Sequence, residues 1–284
     1  MSAELLMEHL IEIKDLDFSY NREQQEVPVL KNINLNIAKG EFVVIVGPNG
    51  CGKSTLVRQI NGLLLPTNGR VVVDGLDTAV EQNIGEIRRK VGMVFQNPDT
   101  QLFASVVEED VAFGVENLCL PREEIRQRVD HALAVLGITE YKEYPPHRLS
   151  GGQKQKVAIA GVLAMQPICI VLDEPTSMLD SKGRKEVLEA VRNLNQEMNI
   201  TVLYVTHDMS EALWGTRLVA MAGGEVAFSG APEKIFASED FLKSARIEAP
   251  PVIKLVNELR SRGLNLSHGI KSAEDLVNAL CQSN

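Results

Sequence analysis

The chain has 284 residues, of which 44% are hydrophobic, and this is enough for one large α/β domain with a sizeable core and a small addition. Its formal net charge of −9 argues against non-specific nucleic-acid binding, because attraction to phosphate backbones needs a basic surface. No apolar run approaches the roughly 20 residues that span a bilayer, and segment 1–9 lacks the layout of a secretory signal, so the sequence predicts a protein kept in the cytoplasm.

The first predicted elements are β-strands. Residues 11–20 alternate between apolar and polar side chains, and residues 29–37 show a second alternating pattern. Further along, Asn68-Gly69 precedes a strand over 70–73. Together these segments predict a β-rich layer around the loop that lies between them.

That loop follows the short apolar run 42–46, which has the pattern of a strand buried on both faces. It fits the spacing G-x-x-x-x-G-K-[ST], in which glycines let the backbone turn tightly and direct N–H groups at phosphate oxygens. The positive end of the helix that starts near Lys53 adds to the attraction. The loop consists of Gly47, Pro48, Asn49, Gly50, Cys51, Gly52, Lys53, Ser54 and Thr55.

Three side chains of this loop have predicted roles in binding a nucleoside triphosphate. Lys53 reaches the β- and γ-phosphates, Ser54 is a ligand of Mg²⁺, and Thr55 is placed to bond the α-phosphate. Cys51 lies inside the loop, so its alkylation is expected to block ATP binding. The alternative is a chance glycine-rich turn, which a full motif match between a strand and a helix disfavours.

A buried strand over 91–95 ends at Gln96, and from residue 98 to about residue 161 the pattern becomes helical. Within this region, residues 123–136 form one amphipathic helix that Gly137 stops. The amide of Gln96 can contact Mg²⁺ or water, and it can also merely cap the turn that follows it.

A second helix in this region begins after Ser150, which is a good N-cap residue. It starts with Gly151, Gly152 and Gln153, and the two glycines leave a bare, positive helix end open to an anion. The alternative is a helix cap without a ligand.

Two acidic residues follow the next buried strand, 168–172. Asp173 leaves that strand at its carboxyl end, where ligands bind in open α/β sheets, so we expect it to hold Mg²⁺ directly or through water. Glu174 is next in sequence and projects differently, so it can face the attacking water as a general base. The alternative is a solvated turn before Pro175, which the phosphate loop upstream disfavours.

His207 follows the apolar strand 201–205, and an imidazole there can bond the γ-phosphate and orient the water. A lone histidine at a strand end is more often packed or solvated, so only the neighbouring motifs favour this role. A further strand over 218–222, with helices over 182–198 and 209–214, predicts a mainly parallel sheet.

A small two-helix tail is predicted near the carboxyl terminus. Pro250-Pro251 opens a segment with apolar residues at helical spacing, which Gly263 ends. Ser272 and Asp275 then resemble a capping box at the start of a second apolar helix.

In their order along the chain, these motifs resemble the ATPase subunit of an ABC transporter over roughly residues 10–240. The resemblance implies an α/β fold with a RecA-like P-loop core, an antiparallel β layer, a helical signature subdomain at about 98–162 and a C-terminal helical extension. It implies an ATPase domain over 8–243 and an extension over 244–284. The resemblance is carried by Tyr20 as the adenine-stacking aromatic, 47–55 as Walker A, Gln96 as the Q-loop residue, 149–153 as the signature with Ser150, Gly151, Gly152 and Gln153, 168–174 as Walker B with Asp173 and the catalytic Glu174, Asp180 as the D-loop aspartate and His207 as the switch histidine.

The resemblance also implies that two chains share each active site. The signature binds the γ-phosphate held by a partner's Walker A loop, so two chains pack head to tail around two ATP molecules, with Mg²⁺ as the metal. Tyr20 has the alternative role of closing the β layer. Lys156 departs from the family, in which arginine is commoner, so charge is kept and bidentate bonding is lost.

Segments 95–103, 107–114 and 157–164 narrow the resemblance to the cobalt and energy-coupling factor (ECF) branch. That branch combines two ATPases with a membrane T-component and a substrate-binding S-component. The chain is therefore expected at the cytoplasmic face of a prokaryotic cell membrane, as a peripheral subunit for uptake of a vitamin or a transition-metal ion. Met178 resembles the first of two paralogues, which favours a heterodimer and leaves a homodimer open.

Several alternatives stay open on the sequence. The apolar residues after Gln96 form either a groove for the coupling helices of the T-component or ordinary helix core, and the tail forms either a dimer contact or a lid. The chain could serve another ABC importer branch. A soluble ABC protein acting on DNA or ribosomes is disfavoured by the acidic charge, and a non-hydrolysing sensor by the presence of Glu174 and His207.

Overall fold

Strands and helices alternate along most of the chain. The structure, a computed structural model, describes residues 9–22, 25–236, 242, 248–264, 266, 270 and 272–282. The strands are β1 (His9–Arg22), β2 (Gln25–Ala38), β3 (Phe42–Val46), β4 (Asn68–Val73), β5 (Leu76–Asp77), β6 (Val91–Val94), β7 (Cys169–Asp173), β8 (Thr201–Val205), β9 (Arg217–Ala222) and β10 (Glu225–Gly230). The helices are α1 (Lys53–Ile60), α2 (Glu81–Lys90), α3 (Val107–Glu116), α4 (Arg122–Val135), α5 (Gly151–Ala164), α6 (Ser181–Met198), α7 (Pro232–Phe236), α8 (Pro251–Ser261) and α9 (Ala273–Gln282).

The central sheet has the strand order β10-β9-β3-β8-β7-β6. Strands β9, β3, β8, β7 and β6 run parallel, and β10 pairs antiparallel with β9. Every residue of β3, β7 and β8 is buried, as their unbroken apolar runs predict. Because these strands are parallel, the loops that follow β3, β6, β7 and β8 all leave the sheet on the same side, at the carboxyl ends of the strands.

Side chains of the central strands alternate between two apolar cores. Phe42 and Val44 pack on one face with side chains from α3, α4, α5 and α6. Val43 and Ile45 pack on the other face with α1 and with a second, antiparallel sheet of order β2-β1-β4-β5. The two-residue period of a strand produces this division. The second sheet confirms the antiparallel layer that the sequence predicts.

The carboxyl-terminal helices α8 and α9 have a small apolar cluster of their own. Val256, Leu266, Ile270 and Leu276 form it. The predicted capping box is present: the Ser272 N–H donates to Asp275 Oδ2 at 2.9 Å, and the Asp275 N–H donates to Ser272 Oγ at 3.0 Å. In the part of the chain that the structure describes, no helix is long and apolar enough to cross a bilayer.

One predicted helix is wrong. Instead of an α-helix over 209–214, the chain forms a short 3₁₀ turn over Glu211–Trp214. The Glu211 N–H bonds the Asp208 carbonyl three residues back, and Gly215 is extended, so the segment ends before an α-helical turn can form. The sequence also did not predict α2, β5, β10 and α7.

Candidate functional site

The phosphate loop leaves β3 with backbone angles that favour glycine. Gly47, Gly50 and Gly52 have φ of 152°, 80° and 102°. A Cβ on Gly47 would lie 2.3 Å from the carbonyl oxygen of Met221, so the loop passes too close to β9 for a side chain. The loop leads into α1, whose first turn carries no acidic residue and therefore keeps its positive end available to an anion.

Lys53 is buried within this loop. Its ammonium group donates to the carbonyl oxygens of Gly47 at 2.9 Å and Pro48 at 3.2 Å. A buried ammonium group needs such acceptors, since an unpaired charge away from water is costly. The loop therefore holds the cation beside the backbone that is predicted to bind phosphate.

Tyr20 lies next to the carboxyl-terminal end of the loop. Its hydroxyl oxygen is 3.3 Å from Thr55 Oγ1, and its ring makes an edge contact with Phe18, with centroids 4.9 Å apart. The ring also packs against the core of the antiparallel sheet. The structure thus places Tyr20 where both predicted roles, stacking on adenine and closing the β layer, are compatible with its neighbours.

Two predicted metal ligands are already in contact. The Ser54 hydroxyl donates to Asp173 Oδ1 at 2.7 Å, although 119 residues separate them in the chain. Asp173 is 4% exposed, and its burial raises the pKa of its carboxyl group. Arg58 Nη2 lies 3.8 Å from Asp173 Oδ2. A hydroxyl and a carboxylate oxygen are the hard donors that Mg²⁺ prefers, and Mg²⁺ commonly combines one carboxylate with substrate phosphates, so this pair fits the metal.

Glu174, His207 and Gln96 meet at the carboxyl ends of the parallel strands. His207 Nδ1 lies 3.1 Å from Glu174 Oε2, and Gln96 Nε2 donates to the same oxygen at 3.4 Å. Gln96 Nε2 also donates to Ser177 Oγ at 3.2 Å. Glu174 has a left-handed φ of 50°, and its N–H donates to the Val205 carbonyl at 3.0 Å. The loops after β6, β7 and β8 therefore bring all three predicted residues together.

The signature segment caps α5 as the sequence predicts. Ser150 Oγ accepts from the Gln153 N–H at 3.3 Å, and Gln153 Oε1 accepts from the Ser150 N–H at 2.8 Å. Gly152 lies against α6, because a Cβ on it would be 3.1 Å from the Cα of Gly183. Gly151 adjoins Leu179 in a similar way.

Asp180, the predicted D-loop aspartate, is the N-cap of α6. Its Oδ1 accepts from the Gly183 N–H at 2.8 Å. The beginnings of α5 and α6 are therefore in contact, which brings the signature and Asp180 together.

Two lysines connect α5 to neighbouring segments. Lys154 Nζ bonds Asp99 Oδ1 at 2.6 Å in the segment after Gln96, and Lys156 Nζ bonds Glu186 Oε2 on α6 at 3.2 Å. Lys156 thus acts as a point charge toward a single carboxylate oxygen, a geometry that does not need the fork of an arginine.

The segment after Gln96 contains both buried and exposed apolar side chains. Val107 is fully buried in the core, whereas Phe103 and Phe113 are 64% and 51% exposed and make an edge contact with centroids 4.6 Å apart. Buried Asp110 fixes this segment, because its carboxylate accepts the N–H groups of Phe103 at 3.1 Å and Ala104 at 3.0 Å.

Reasoning from the sequence missed Glu211. This carboxylate is 2% exposed and lies among three hydroxyl groups close to Glu174 and His207. The available signal was a glutamate four residues after a strand-end histidine, in a link too short for an α-helix.

The fold and the loop after β3 define a P-loop nucleotide-binding protein, and its other predicted site residues lie near the carboxyl ends of the parallel strands. Comparison with known proteins agrees. The family model described as "ABC transporter" matches residues 30–177. The chain is 49% identical over 276 residues to the energy-coupling factor transporter ATP-binding protein EcfA1 of Clostridium novyi, covering 97% of this chain and 99% of that protein.

Solved structures show the same relationship. The structure of cbiO1 from Clostridium perfringens, described as part of the ABC transporter complex cbiONQ, has a TM-score of 0.76 and 38% identity, covering 88% of this chain and 99% of that one. A dimeric ATP-binding cassette bound to ADP and Pi has a TM-score of 0.71 and 35% identity, covering 78% of this chain and 98% of the other. The chain belongs to the ABC transporter family of ATP-binding subunits, which bind ATP and couple its hydrolysis to transport.

Proposed function

We propose that the chain is the ATP-hydrolysing subunit of an ECF-type importer, in which closure of an ATPase dimer drives uptake through a T-component and an S-component. The observation that carries hydrolysis is the 3.1 Å contact between His207 Nδ1 and Glu174 Oε2. The ECF branch is supported by 49% identity to an EcfA1 protein across 97% of the chain. The cargo is a vitamin or a transition-metal ion, and the S-component selects it.

The phosphate loop binds the triphosphate of ATP in this proposal. Its N–H groups and the positive end of α1 attract the phosphate oxygens, and Lys53 pairs with the β- and γ-phosphates. Thr55 bonds the α-phosphate, and Tyr20, which adjoins Thr55, stacks on adenine.

Hydrolysis then depends on residues from three other loops. Ser54 and Asp173, with Gln96, would hold Mg²⁺, and the metal when bound would supply positive charge that stabilises the phosphoryl group. Glu174 takes a proton from the attacking water, whose oxygen bonds the γ-phosphorus as the bond to the ADP oxygen breaks. His207 orients Glu174 and the γ-phosphate.

A second ATPase subunit completes each site. Ser150, Gly151, Gly152 and Gln153, with Asp180 beside them, meet the γ-phosphate bound by the partner's Walker A loop. The dimeric cassette with ADP and Pi supports this arrangement. We propose a heterodimer with a paralogue as the preferred form, with the homodimer as the second possibility, and a supporting contact from α8 and α9.

The same assembly sits as a peripheral complex on the cytoplasmic face of a prokaryotic membrane. Phe103 and Phe113 present apolar surface in the segment that follows Gln96, and we propose that coupling helices of the T-component bind there. Lys154 and Asp99 link this segment to the signature helix, so movement of one is passed to the other.

The hydrolytic part is tested by Glu174→Gln, which keeps the shape of the side chain and removes its basicity. General-base catalysis contributes about 10²–10⁴ in rate, so kcat should fall by that factor while ATP affinity is retained. Glu197→Gln is the matched control. Glu197 is exposed near the carboxyl-terminal end of α6, away from the site, so this variant should leave kcat unchanged. A Glu174→Gln variant with normal turnover would refute the assignment.

The transporter part is tested by tagging the chain and purifying it from the membranes of its own cell. We expect a second ATPase and a multi-span membrane protein to co-purify. Phe103→Ser combined with Phe113→Ser should release the membrane protein but not the second ATPase, whereas Val135→Ser, at a residue that is 37% exposed on α4, should release neither. ATPase activity that requires DNA or ribosomes would overturn the proposal.

A further inference from the structure

Glu211 is a buried carboxylate for which the proposed reaction has no direct use. It lies in the 3₁₀ turn between β8 and β9 and is 2% exposed. A buried carboxylate is costly unless hydrogen bonds compensate for the lost water. Its partners therefore show which parts of the molecule it holds in place.

Three hydroxyl groups surround this carboxylate. Thr176 Oγ1 donates to Oε1 at 2.6 Å, and Thr206 Oγ1 donates to Oε2 at 2.6 Å. Tyr204 Oη lies 3.3 Å from Oε2 and 3.0 Å from Thr176 Oγ1. Since the only hydroxyl proton of Thr176 is directed at Glu211, Tyr204 shares its own proton between these two acceptors.

The positions of the two threonines give these bonds their significance. Thr176 is two residues after Glu174, and Thr206 immediately precedes His207. One carboxylate therefore binds both loops that carry the 3.1 Å contact between Glu174 and His207. The Glu211 carboxylate is therefore a common acceptor for side chains of both loops, in addition to the backbone bond from the Glu174 N–H to the Val205 carbonyl.

An arginine extends the cluster to α6. The guanidinium group of Arg184 pairs with Asp208 Oδ2, and its Nε lies 3.6 Å from Glu211 Oε1. The Asp208 N–H in turn donates to Thr206 Oγ1 at 3.0 Å. Arg184 lies in the first turn of α6, next to Gly183, whose N–H is bonded by the helix cap Asp180.

We propose that Glu211 is a positioning residue for ATP hydrolysis. Through Thr176 and Thr206 it fixes the loops of Glu174 and His207, and through Arg184 it ties their geometry to the D-loop end of α6. The inference rests on the proposed roles of Glu174 and His207 in hydrolysis.

The test uses the full chain in the complex purified by its tag. Glu211→Gln keeps the volume of the side chain but replaces one acceptor oxygen by a donor, so one hydroxyl group loses its partner. We expect kcat to fall at least tenfold, which is about 1.4 kcal/mol in activation free energy, while KM for ATP stays within about twofold. Thr206→Val should lower kcat in the same way. Thr206→Ser keeps the hydroxyl group, so its kcat should stay close to that of the unmodified chain.

Glu41→Gln is the matched control. Like Glu211, Glu41 lies near an arginine: its carboxylate pairs with Arg217 at 3.3 Å, and it accepts the Ala38 N–H at 3.0 Å. It immediately precedes β3, at the end of that strand opposite the phosphate loop, so its loss should leave kcat and KM unchanged.

The outcomes separate this inference from the function on which it rests. An active Glu174→Gln variant overturns both, whereas an inactive Glu174→Gln variant beside a Glu211→Gln variant with kcat within twofold of the unmodified chain overturns only the role of Glu211. A parallel rise of KM also overturns that role, because it indicates general loss of the site. If Glu211→Gln does not fold, equal kcat for Thr206→Val and Thr206→Ser overturns the inference.

Discussion

Substitution of Gly47 by alanine tests whether the shape of the phosphate loop is set by its approach to β9. An alanine Cβ would lie 2.3 Å from the Met221 carbonyl oxygen and 2.8 Å from Cys51 Sγ, and the φ of 152° is unfavourable for a side chain. The backbone strain costs about 1–3 kcal/mol, and overpacking costs about 1–3 kcal/mol more. Gly47→Ala should therefore lower the free energy of unfolding by roughly 2–6 kcal/mol.

Gly50→Ala is the internal control, since it makes the same change in the same loop. Gly50 has φ of 80°, but no atom of the residues that the structure describes lies within 4 Å of its added Cβ. Its cost is therefore strain alone, about 1–2 kcal/mol. The difference between the two variants measures the close contacts of Gly47, with the Met221 carbonyl on β9 and with Cys51, together with any difference in backbone strain.

Urea unfolding followed by circular dichroism measures both losses, and calorimetric titration with ATP and Mg²⁺ measures affinity. Gly47→Ala should also weaken ATP binding at least tenfold, about 1.4 kcal/mol, because the loop must move to relieve the clash and its N–H groups move with it. Equal stability losses in the two variants would refute this reasoning, as would unchanged affinity in Gly47→Ala.

Three further outcomes are expected. Iodoacetamide should label exposed Cys119 before Cys51, because Cys51 is 7% exposed and burial raises the pKa of its thiol; peptide mass spectrometry measures the order, and early labelling of Cys51 would contradict it. Lys156→Met should cost only about 0.5–1 kcal/mol in urea unfolding, since the partner Glu186 is 40% exposed, and Lys156→Arg should be neutral. Asp110→Ala should lower the free energy of unfolding by about 1–3 kcal/mol, because two N–H groups lose their acceptor. Hydrogen exchange at these two N–H groups should become faster. Burial raises the pKa of Asp110 in the folded state, so its contribution to stability falls as pH rises through the acidic range, and the alanine variant should lack this slope.

Much of the site was predictable because it lies at the ends of strands buried on both faces. The apolar runs that form β3, β7 and β8 are visible in the sequence, and the parallel sheet places the residues after them at one edge. Asp173 and His207 could be placed in this way without a structure. Their positions follow from where the apolar runs end, which is a local property of the sequence, and from the alternation of strands and helices, which indicates a parallel sheet.

Other features depend on contacts that no local pattern encodes. Helix α2 buries only Ile87, so it has almost no apolar stripe, and β10 alternates only between exposed and half-buried residues at the edge of the sheet. Glu211 acquires its partner Thr176, 35 residues earlier in the chain, only when β7 and β8 pair. The sequence predicts a helix over 209–214, and the buried hydrogen bonds of Glu211 depend on packing between segments that are distant in the chain.

The contact between Gly152 and Gly183 has a mechanical consequence. At this contact the two helices meet through their backbones, so no side chain there can change rotamer and absorb a displacement. We therefore expect the starts of α5 and α6 to move together. Tilting the start of α5 displaces the start of α6, and with it Asp180. In the proposed assembly, contact of the signature with a partner's nucleotide would therefore also move Asp180, and a bulkier residue at either glycine would weaken this coupling.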